Sequence, residues 1–286
     1  MASKKERQRQ LAREAHERRM RRRAERARRE RVWAAGATVA VVVIAVALIA
    51  AWIAGVFGPS KSTAASAGKS PSASASASAT PTQTPAMVDG KCVYTKGGTA
   101  ARKVSLPPAT PDTKATYTAT IKTNRGTIAL KLDNSGAPCT VNSFVSLADQ
   151  KYFNNTHCHR LTTASIYVLQ CGDPTGTGTG GPGYSFETEN LSSLKPVQVS
   201  GETEAKYPAG TIAMANSGSA DSNGSQFFIV YKNTDLPDSY TPFGTVASGL
   251  SIVQNVAKAG STNSNGPGDG APKEKVQIES VTITKT

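Results

Sequence analysis

The sequence predicts a mainly β protein, in which residues 115–286 form a closed or nearly closed antiparallel barrel capped by two helices. Many short strand-like runs occur there, separated by residues such as Gly, Asn, Asp, Ser and Pro. Only two segments have helical spacing of apolar residues, and strands do not alternate with helices as in parallel sheets. The preceding residues differ in composition and are predicted to form an arm, a membrane-spanning helix and a linker.

The net charge of +13 is concentrated in the basic arm, residues 1–31. This arm holds Lys4, Lys5 and a dense series of Arg residues interspersed with Glu, and it contains no Gly or Pro, which is compatible with a solvated helix. A basic arm is typical either of nucleic-acid binding or of the cytoplasmic flank of a membrane anchor. The segment that follows favours the anchor, and no nucleic-acid partner is expected.

Residues 32–57 contain no charged residue and exceed the ~20 apolar residues needed to cross a bilayer. Trp33 and Trp52 lie near the two ends, where interfacial aromatic residues are favoured. We therefore expect a single-pass helix in the cell membrane, with a cytoplasmic N-terminus, an extracytoplasmic head and anionic lipid bound to the arm. A signal peptide cleaved near residues 65–67 is the alternative, but the apolar run exceeds the roughly 7–15 residues of a signal-peptide core.

Residues 58–114 are predicted to form a linker and approach segment. Ser, Ala, Pro, Thr and Gly make up nearly all of residues 58–88, including the repeat SASASASA, so this stretch cannot bury an apolar core. Residues 92–111 contain prolines and have weak structure signals. We expect a flexible tether that holds the head away from the membrane, with Ser and Thr residues that permit O-glycosylation.

The four cysteines, Cys92, Cys139, Cys158 and Cys171, all follow the apolar segment. In an oxidising compartment they can form two disulfides, with three possible connectivities. Cys158 and Cys171 flank a predicted hairpin, which favours their pairing and leaves Cys92 to pair with Cys139; free buried thiols are the alternative. Their spacing fits no zinc finger or ribbon, and the chain has only three His residues, so no metal site is expected.

The elements of the head are predicted from periodicity. Residues 116–122 and 127–133 alternate in character on either side of a Thr-Asn-Arg-Gly turn, which predicts a β-hairpin. Residues 140–150 and 249–258 carry apolar residues at helical spacing, which predicts the two helices. Short strands are predicted at residues 156–161, 166–171, 211–216, 225–231 and 275–285.

Two loops of the head are rich in small residues. Residues 217–224 join two apolar strands, a pattern suited to a groove that holds a peptide. Residues 172–183 are rich in Gly and are predicted as a second loop. Phosphate binding is one interpretation of this loop, but GxxxxGK[ST] is missing and no helical pattern follows. We favour a loop that lines a groove, where Gly allows a ligand backbone to approach.

Several motifs, in order along residues 116–284, resemble those of the cyclophilin-type peptidyl-prolyl cis-trans isomerases. They are His159-Arg160 (FHR in the family), Gln170-Cys171-Gly172-Asp173 (QGGD), Met214-Ala215-Asn216 (MAN), NGSQFFI at 223–229 and Phe243-Gly244-Thr245-Val246 (FGxV). The resemblance implies a closed eight-stranded antiparallel barrel. It also implies a membrane-anchored, actinobacterial-like isomerase of X–Pro bonds in exported or cell-envelope proteins. No cofactor is expected, because no bond is broken.

By this resemblance Arg160 is the central catalytic residue. Its guanidinium would bond the carbonyl oxygen of the substrate proline and favour a pyramidal prolyl nitrogen. Gln170 and Asn216 would hold the substrate backbone, with Gln226 and the loop at Gly178 nearby. A surface ion pair is the alternative role of Arg160, and loop capping is the alternative for Asn216 and Gln226.

The resemblance also implies an apolar pocket for the proline ring. Its predicted residues are Tyr167, Val168, Met214, Ala215, Phe228, Leu236 and Tyr240. Packing in the core is the alternative role for any of them. Two more residues separate Arg160 from Tyr167 than in familiar members of the family, so Ile166 is the alternative wall of the pocket.

The chain departs from the family pattern at three places. Cys158 replaces the Phe of many members, the loop after Asn216 is one residue longer, and Asp235 stands where eukaryotic members carry a Trp that contacts cyclosporin. We therefore expect a monomeric isomerase of proline-containing polypeptides that binds cyclosporin weakly. The alternatives are a proline-peptide-binding chaperone with little turnover and an envelope adhesion or interaction module, which only the tether supports.

Overall fold

The protein is described by a computed structural model of residues 85–199 and 201–286, which fall within one compact unit, Ala77–Thr286. The predicted basic arm, the predicted membrane-spanning segment and the first part of the predicted linker lie outside the described residues. Within the two described ranges, no helix combines the length and the apolar character needed to span a bilayer.

The described residues form seventeen strands and two α-helices. The strands are β1 Met87–Val88, β2 Lys91–Cys92, β3 Thr95–Lys96, β4 Tyr117–Thr123, β5 Gly126–Leu132, β6 Thr156–His157, β7 Arg160–Thr162, β8 Val168–Cys171, β9 Tyr184–Ser185, β10 Lys195–Val199, β11 Glu202–Tyr207, β12 Thr211–Met214, β13 Phe227–Val230, β14 Thr234–Pro237, β15 Pro242–Ser248, β16 Asp269–Gly270 and β17 Gln277–Lys285. The helices are α1 Pro138–Asp149 and α2 Leu250–Ala259, with a short 3-10 helix at Leu191–Ser193.

Ten of these strands form one antiparallel sheet. Their order is β16-β7-β8-β13-β12-β15-β5-β4-β17-β6. The register shifts where β12 pairs with β15, where β15 pairs with β5 and where β17 pairs with β4. Such irregularities bend a strand and increase its twist, so the sheet curls into a half-barrel.

The strand order corrects the predicted closed barrel of eight strands. Among the described residues no ladder joins β6 to β16, the strands at the two ends of the order. The chain itself links the β6 end to β7, because β6 continues through Cys158 and His159 into β7. The Cys158 N–H donates to Val276, whereas the His159 N–H donates to Gln170. Residues 156–162 therefore pair first with β17 and then with β8, and no single ladder runs across both ends of the sheet.

The predicted N-terminal hairpin of the head is confirmed by β4 and β5, which pair antiparallel up to Thr123 and Gly126. Buried and exposed residues alternate along β4, as expected of a strand with one face on a core. Gly126 has a φ of 123°, which favours glycine. The hydroxyl of Thr123 donates to the Gly126 carbonyl and closes the turn.

The two predicted helices are confirmed by α1 and α2. Val141, Phe144 and Leu147 of α1 are buried, and Val253 and Val256 of α2 are buried, so each helix turns its apolar stripe toward the core. In the main core, the Phe144 ring lies with its centroid 5.1 to 5.6 Å from three other aromatic rings. These rings belong to Phe153, Phe227 and Phe243.

The N-terminus of α1 is capped by a residue distant in the sequence. The backbone N–H groups of Cys139 and Thr140 donate to the Glu189 carboxylate at 3.1 and 2.7 Å, and the Thr140 hydroxyl donates to it as well. A carboxylate is favourable there because the first N–H groups of a helix have no partner within the helix. Burial raises the pKa of Glu189, although these hydrogen bonds act in the opposite direction.

Residues of the predicted linker are part of the folded head. β3 pairs with β9, and Tyr94 stands edge to face against Tyr184 with ring centroids 5.6 Å apart. A disulfide joins Cys92 to Cys139 of α1. The folded head therefore includes residues ahead of the predicted boundary at residue 115.

The second disulfide joins Cys158 to Cys171. Both bonds follow the pairing that the predicted hairpin favoured, and none of the cysteines is a free thiol. Cys158 precedes β7 and Cys171 ends β8, so this bond ties together two neighbouring strands of the half-barrel.

One hairpin was missed at the sequence level. β10 pairs with β11, and β11 pairs with β14, which makes a separate three-stranded sheet. Ala205 of β11 lies opposite Leu236 of β14, and both are buried. Lys, Glu and Pro are frequent in β10 and β11, so the alternation that marks a strand is weak there.

Candidate functional site

Four residues on neighbouring strands form a row across the sheet. Arg160 on β7 pairs with Gln170 on β8, Gln170 pairs with Phe228 on β13, and Phe228 pairs with Ala213 on β12. Directly paired residues of antiparallel strands project on the same face. This face is the outer one, because the alternate residues Leu169, Phe227 and Ile212 belong to the main core. The row thus places a cation, an amide and an aromatic ring side by side.

Arg160 is held by a two-point ion pair. Its Nε and Nη2 atoms donate to the two carboxylate oxygens of Asp269, each at 2.9 Å. Its Nη1 donates to Gln170 Oε1 at 3.4 Å. The hydrogen-bonded Asp269 raises the pKa of Arg160 above its ordinary value, although burial opposes this. Arg160 is therefore a permanently charged donor with a fixed plane.

The two glutamines continue the hydrogen-bond network. Gln170 Nε2 donates to Gln226 Oε1 at 2.9 Å, and Gln226 Nε2 donates to the carbonyls of Gly178 and Gly180, each at 3.0 Å. The network therefore runs from the guanidinium of Arg160 to the glycine-rich loop. Gln170, Gln226 and Gly178, all predicted as site residues, are brought together.

Asp173 organises that loop from within the protein. Its carboxylate accepts from the backbone N–H groups of Thr175, Gly178 and Gly180 at 2.7 to 3.1 Å. Burial raises its pKa, but these bonds and the Thr175 hydroxyl outweigh burial and hold the pKa below its usual value. A Cβ atom at Gly180 would collide with the Asp173 carboxylate, which explains the need for glycine there.

An apolar cluster lies beside the row on the same face. Val168, Phe228 and Leu236 are buried in it, and Ala215 and Tyr240 are partly buried against it. Its other residues are Ala205, Tyr207, Ala213 and Val230, with Ile166 and Leu194 at its margin. The Tyr240 ring stands edge to face against Phe228 at 5.6 Å. Five residues of the predicted proline pocket are therefore brought together next to Gln170.

The structure places the two other predicted pocket residues on the opposite face. Met214 is buried in the main core, and Tyr167 packs on that core, with its ring 6.0 Å from Tyr231 and under the Lys232 ammonium at 4.4 Å. Ile166 and Val168 both pack in the outer apolar cluster, whereas Tyr167, which lies between them in the sequence, packs against the main core. The alternative wall, Ile166, is the one that lies with the pocket.

Asn216 does not join the hydrogen-bond network of Arg160. Its side-chain nitrogen donates to the Ser239 carbonyl at 2.6 Å, and its oxygen accepts the N–H of Gly218 at 3.0 Å. These are the loop-capping contacts that the sequence left open as an alternative. Asn216 thereby ties the loop after β12 to the segment that carries Tyr240.

The sequence did not identify three features of this site. Asp269, the partner of Arg160, lies 109 residues away in the two-residue strand β16, where the sequence has no recognisable motif. Tyr207 supports the pocket from behind, since its hydroxyl donates to the Tyr240 carbonyl at 2.8 Å. Both ring nitrogens of His159 are buried without a hydrogen-bond partner in the described part of the chain. Only His159 had a sequence signal, through the motif that it shares with Arg160.

Similarity to known proteins identifies the family of this chain. The family model "Cyclophilin type peptidyl-prolyl cis-trans isomerase/CLD" matches residues 118–283, which is more than half of the chain. The chain belongs to the cyclophilin family. The matched range contains every residue of the row and of the apolar cluster.

Curated relatives of this cyclophilin include two mycobacterial proteins named "Probable peptidyl-prolyl cis-trans isomerase B". The Mycobacterium leprae protein is 47% identical over 198 residues, which are 67% of this chain and 66% of the relative. The Mycobacterium tuberculosis H37Rv protein is 47% identical over 192 residues, 64% of this chain and 60% of the relative. The chain thus spans slightly less than two thirds of the length of these relatives.

Two solved structures of a Cryptosporidium parvum cyclophilin-type isomerase also align with this cyclophilin. They cover 60% and 59% of this chain and 99% of each solved chain, at 29% sequence identity and TM-scores of 0.49 and 0.48. The second was determined in the presence of the dipeptide Ala-Pro. The family assignment rests on the family model and on the curated relatives.

Proposed function

We propose that this cyclophilin catalyses cis-trans isomerisation of X–Pro peptide bonds. Membership of the family supports the proposal, and the observation that carries it is the juxtaposition of Arg160 and Gln170 with the apolar cluster around Phe228. The apolar cluster, which we propose as the site of the proline ring, lies next to a directed cation, and this reaction requires that combination.

The chemistry needs no nucleophile or cofactor. Uncatalysed rotation must cross roughly 18–20 kcal/mol, because amide resonance is lost in the twisted state. A rate on the order of 10³ s⁻¹ requires the barrier to fall by roughly 7 kcal/mol. That reduction must come from interactions that are stronger with the twisted amide than with either planar isomer.

In the proposed mechanism the proline ring enters the apolar cluster, against Phe228 and Leu236. Arg160 then donates to the carbonyl oxygen of the proline and favours a pyramidal prolyl nitrogen, which is no longer conjugated. Gln170 holds the guanidinium from one side and the substrate backbone from the other. Preorganised donors of this kind stabilise the transition state without reorganisation during the reaction.

The proposed substrates are proline-containing segments of exported or cell-envelope proteins. Supporting features are the apolar segment at residues 32–57, its basic flank and two disulfides in the head, which favour an oxidising compartment. We propose a single-pass membrane anchor with a cytoplasmic N-terminus, anionic lipid at the basic arm and a monomeric head outside the membrane.

The decisive experiment is an NMR-exchange assay on an Ala-Pro peptide with the full chain in detergent. We expect the wild type to accelerate exchange and Arg160→Ala to abolish most of the acceleration. Turnover equal to background in the wild type would refute the enzyme, and peptide binding without turnover would support the chaperone alternative. Full activity of Arg160→Ala would refute the mechanism.

A further inference from the structure

We infer that Asp269 is a positioning residue that sets the direction in which Arg160 presents its donors to a prolyl peptide. The inference rests on the proposed isomerase function of this site. It assigns a catalytic consequence to an acidic residue of β16.

The geometry of the ion pair fixes the guanidinium plane. Asp269 Oδ1 accepts from Nε and Oδ2 accepts from Nη2 of Arg160, both at 2.9 Å. A two-point pair between planar groups restricts both the distance and the rotation of the guanidinium. The edge formed by Nε and Nη2 is therefore occupied, and Nη1 is directed toward Gln170 and the row.

The glutamines hold the guanidinium from its other side. Arg160 offers only donors, and the carbonyls of Gly178 and Gly180 offer only acceptors. The side-chain amides of Gln170 and Gln226 lie between these two ends, so their orientations are fixed. The Gln170 oxygen accepts from Arg160, and the Gln226 nitrogen donates to the glycine-rich loop. Among the hydrogen bonds of the described residues, only the 3.4 Å bond to Gln170 would remain to orient Arg160 without Asp269.

The backbone of Asp269 is fixed to the strand that carries Arg160. Asp269 pairs with Thr162 of β7, and the Thr163 N–H donates to the neighbouring Gly268 carbonyl at 2.7 Å. The side chains of Arg160 and Asp269 are 35% and 28% exposed. An ion pair with this exposure contributes little to folding stability, so its principal effect is on orientation.

The first test measures kcat and KM on the Ala-Pro peptide with the full chain. For Asp269→Ala we expect kcat to fall on the order of 10-fold to 100-fold, because Arg160 loses its geometry, while KM stays close to wild type because the apolar cluster is intact. Asp269→Asn keeps one acceptor and is expected to retain an intermediate kcat. Glu274→Ala removes a carboxylate that pairs with Arg125 at 3.2 Å, outside the row, and serves as the matched control with unchanged kcat.

The second test separates positioning from a structural role by a double-mutant cycle. In an Arg160→Ala background we expect Asp269→Ala to cause no further loss of kcat, because its effect acts through Arg160. An equal loss in both backgrounds, or wild-type kcat in Asp269→Ala, would overturn the inference.

The third test does not depend on turnover. The Arg160 Nε–H is expected to give a slowly exchanging NMR signal in the wild type, and Asp269→Asn, which preserves side-chain shape, is expected to accelerate its exchange with solvent. An unchanged exchange rate would overturn the positioning of Arg160 by Asp269. Absence of wild-type turnover would instead refute the proposed function, so the two failures are distinguishable.

Discussion

At the scale of single residues, the side chains of β8 and of the residues just before it divide between the main core and the proposed proline pocket. Ile166 and Val168 lie with the outer cluster, while Tyr167 packs against the main core. The two additional residues between Arg160 and this stretch made the assignment ambiguous in the sequence. The packing removes the ambiguity, because Ile166 contacts the cluster that contains Phe228 and Tyr167 does not.

This assignment predicts different effects for neighbouring substitutions. Ile166→Ala should raise KM for an Ala-Pro peptide roughly five-fold, which corresponds to about 1 kcal/mol of lost apolar contact. Tyr167→Leu should leave KM unchanged, because this side chain faces Tyr231. Steady-state kinetics on both variants provides the check, and the reverse pattern would place Tyr167 in the pocket.

His159 predicts a pH dependence of stability. Burial lowers its pKa below the ordinary 6.5, with Asp173 opposing and Arg160 reinforcing the shift. The unfolded chain therefore binds a proton at His159 more readily than the folded protein does. The contribution of neutral His159 to the free energy of unfolding should be complete above about pH 6.5 and should be lost as the pH falls through the lowered pKa of the folded protein. Denaturant titrations of the wild type at about pH 7.5 and about pH 5.5 would show this decrease.

The chain offers a matched control for that prediction. His159→Gln should remove part of the decrease in unfolding free energy at low pH, whereas His157→Gln should retain it. His157 lies two positions before His159 and is exposed. If both variants kept the same difference between the two pH values, the pH dependence would have to come from other groups.

At the scale of elements, the Cys158–Cys171 disulfide joins the strands that carry Arg160 and Gln170. Replacing both cysteines by Ala should reduce the free energy of unfolding by about 2–4 kcal/mol and should also lower kcat/KM, because the two strands lose a covalent tie beside the row. The double replacement of Cys92 and Cys139 is the control, since it removes a bond between β2 and α1, neither of which carries a residue of the row. Equal kcat/KM in the two double variants would contradict a link between the Cys158–Cys171 bond and catalysis.

The cap of α1 is a second element whose contribution can be isolated. Glu189→Ala leaves the N–H groups of Cys139 and Thr140 without their acceptor and should cost about 1–3 kcal/mol of unfolding free energy. Glu187→Ala, two positions earlier, should cost much less, because among the described residues no hydrogen bond joins the Glu187 carboxylate to α1. Thermal or denaturant unfolding of both variants would measure the difference, and equal losses would exclude the cap as the cause.

At the scale of the whole molecule, the proposed anchor predicts the behaviour of the full chain in fractionation. The full chain should remain with membranes after alkaline carbonate extraction, because residues 32–57 are long and apolar enough to span a bilayer. A variant without residues 1–57 should be released and should keep the kcat/KM of the full chain. Extraction of the full chain by carbonate would contradict a membrane-spanning segment.

Local periodicity was sufficient to predict the β4–β5 hairpin and both helices, whereas the grouping of Arg160 with Gln170 and Phe228 was implied by the resemblance to the cyclophilin family. The β10–β11 hairpin was missed because its charged residues and Pro196 mask the alternation of a strand. Asp269 was missed for a different reason. A contact across 109 residues depends on how distant segments meet, and nothing in its neighbouring residues distinguishes it from an ordinary turn carboxylate.

The same separation has a consequence for biosynthesis. The carboxylate that pairs with Arg160 belongs to β16, and β17, which lies between β4 and β6 in the sheet, follows β16 in the chain. A ribosome must therefore synthesise β16 before the proposed cleft can assemble, and premature termination upstream of Asp269 should leave Arg160 without its carboxylate partner. Until then, the prolyl bonds of the nascent chain must isomerise without help from the proposed site of the same molecule.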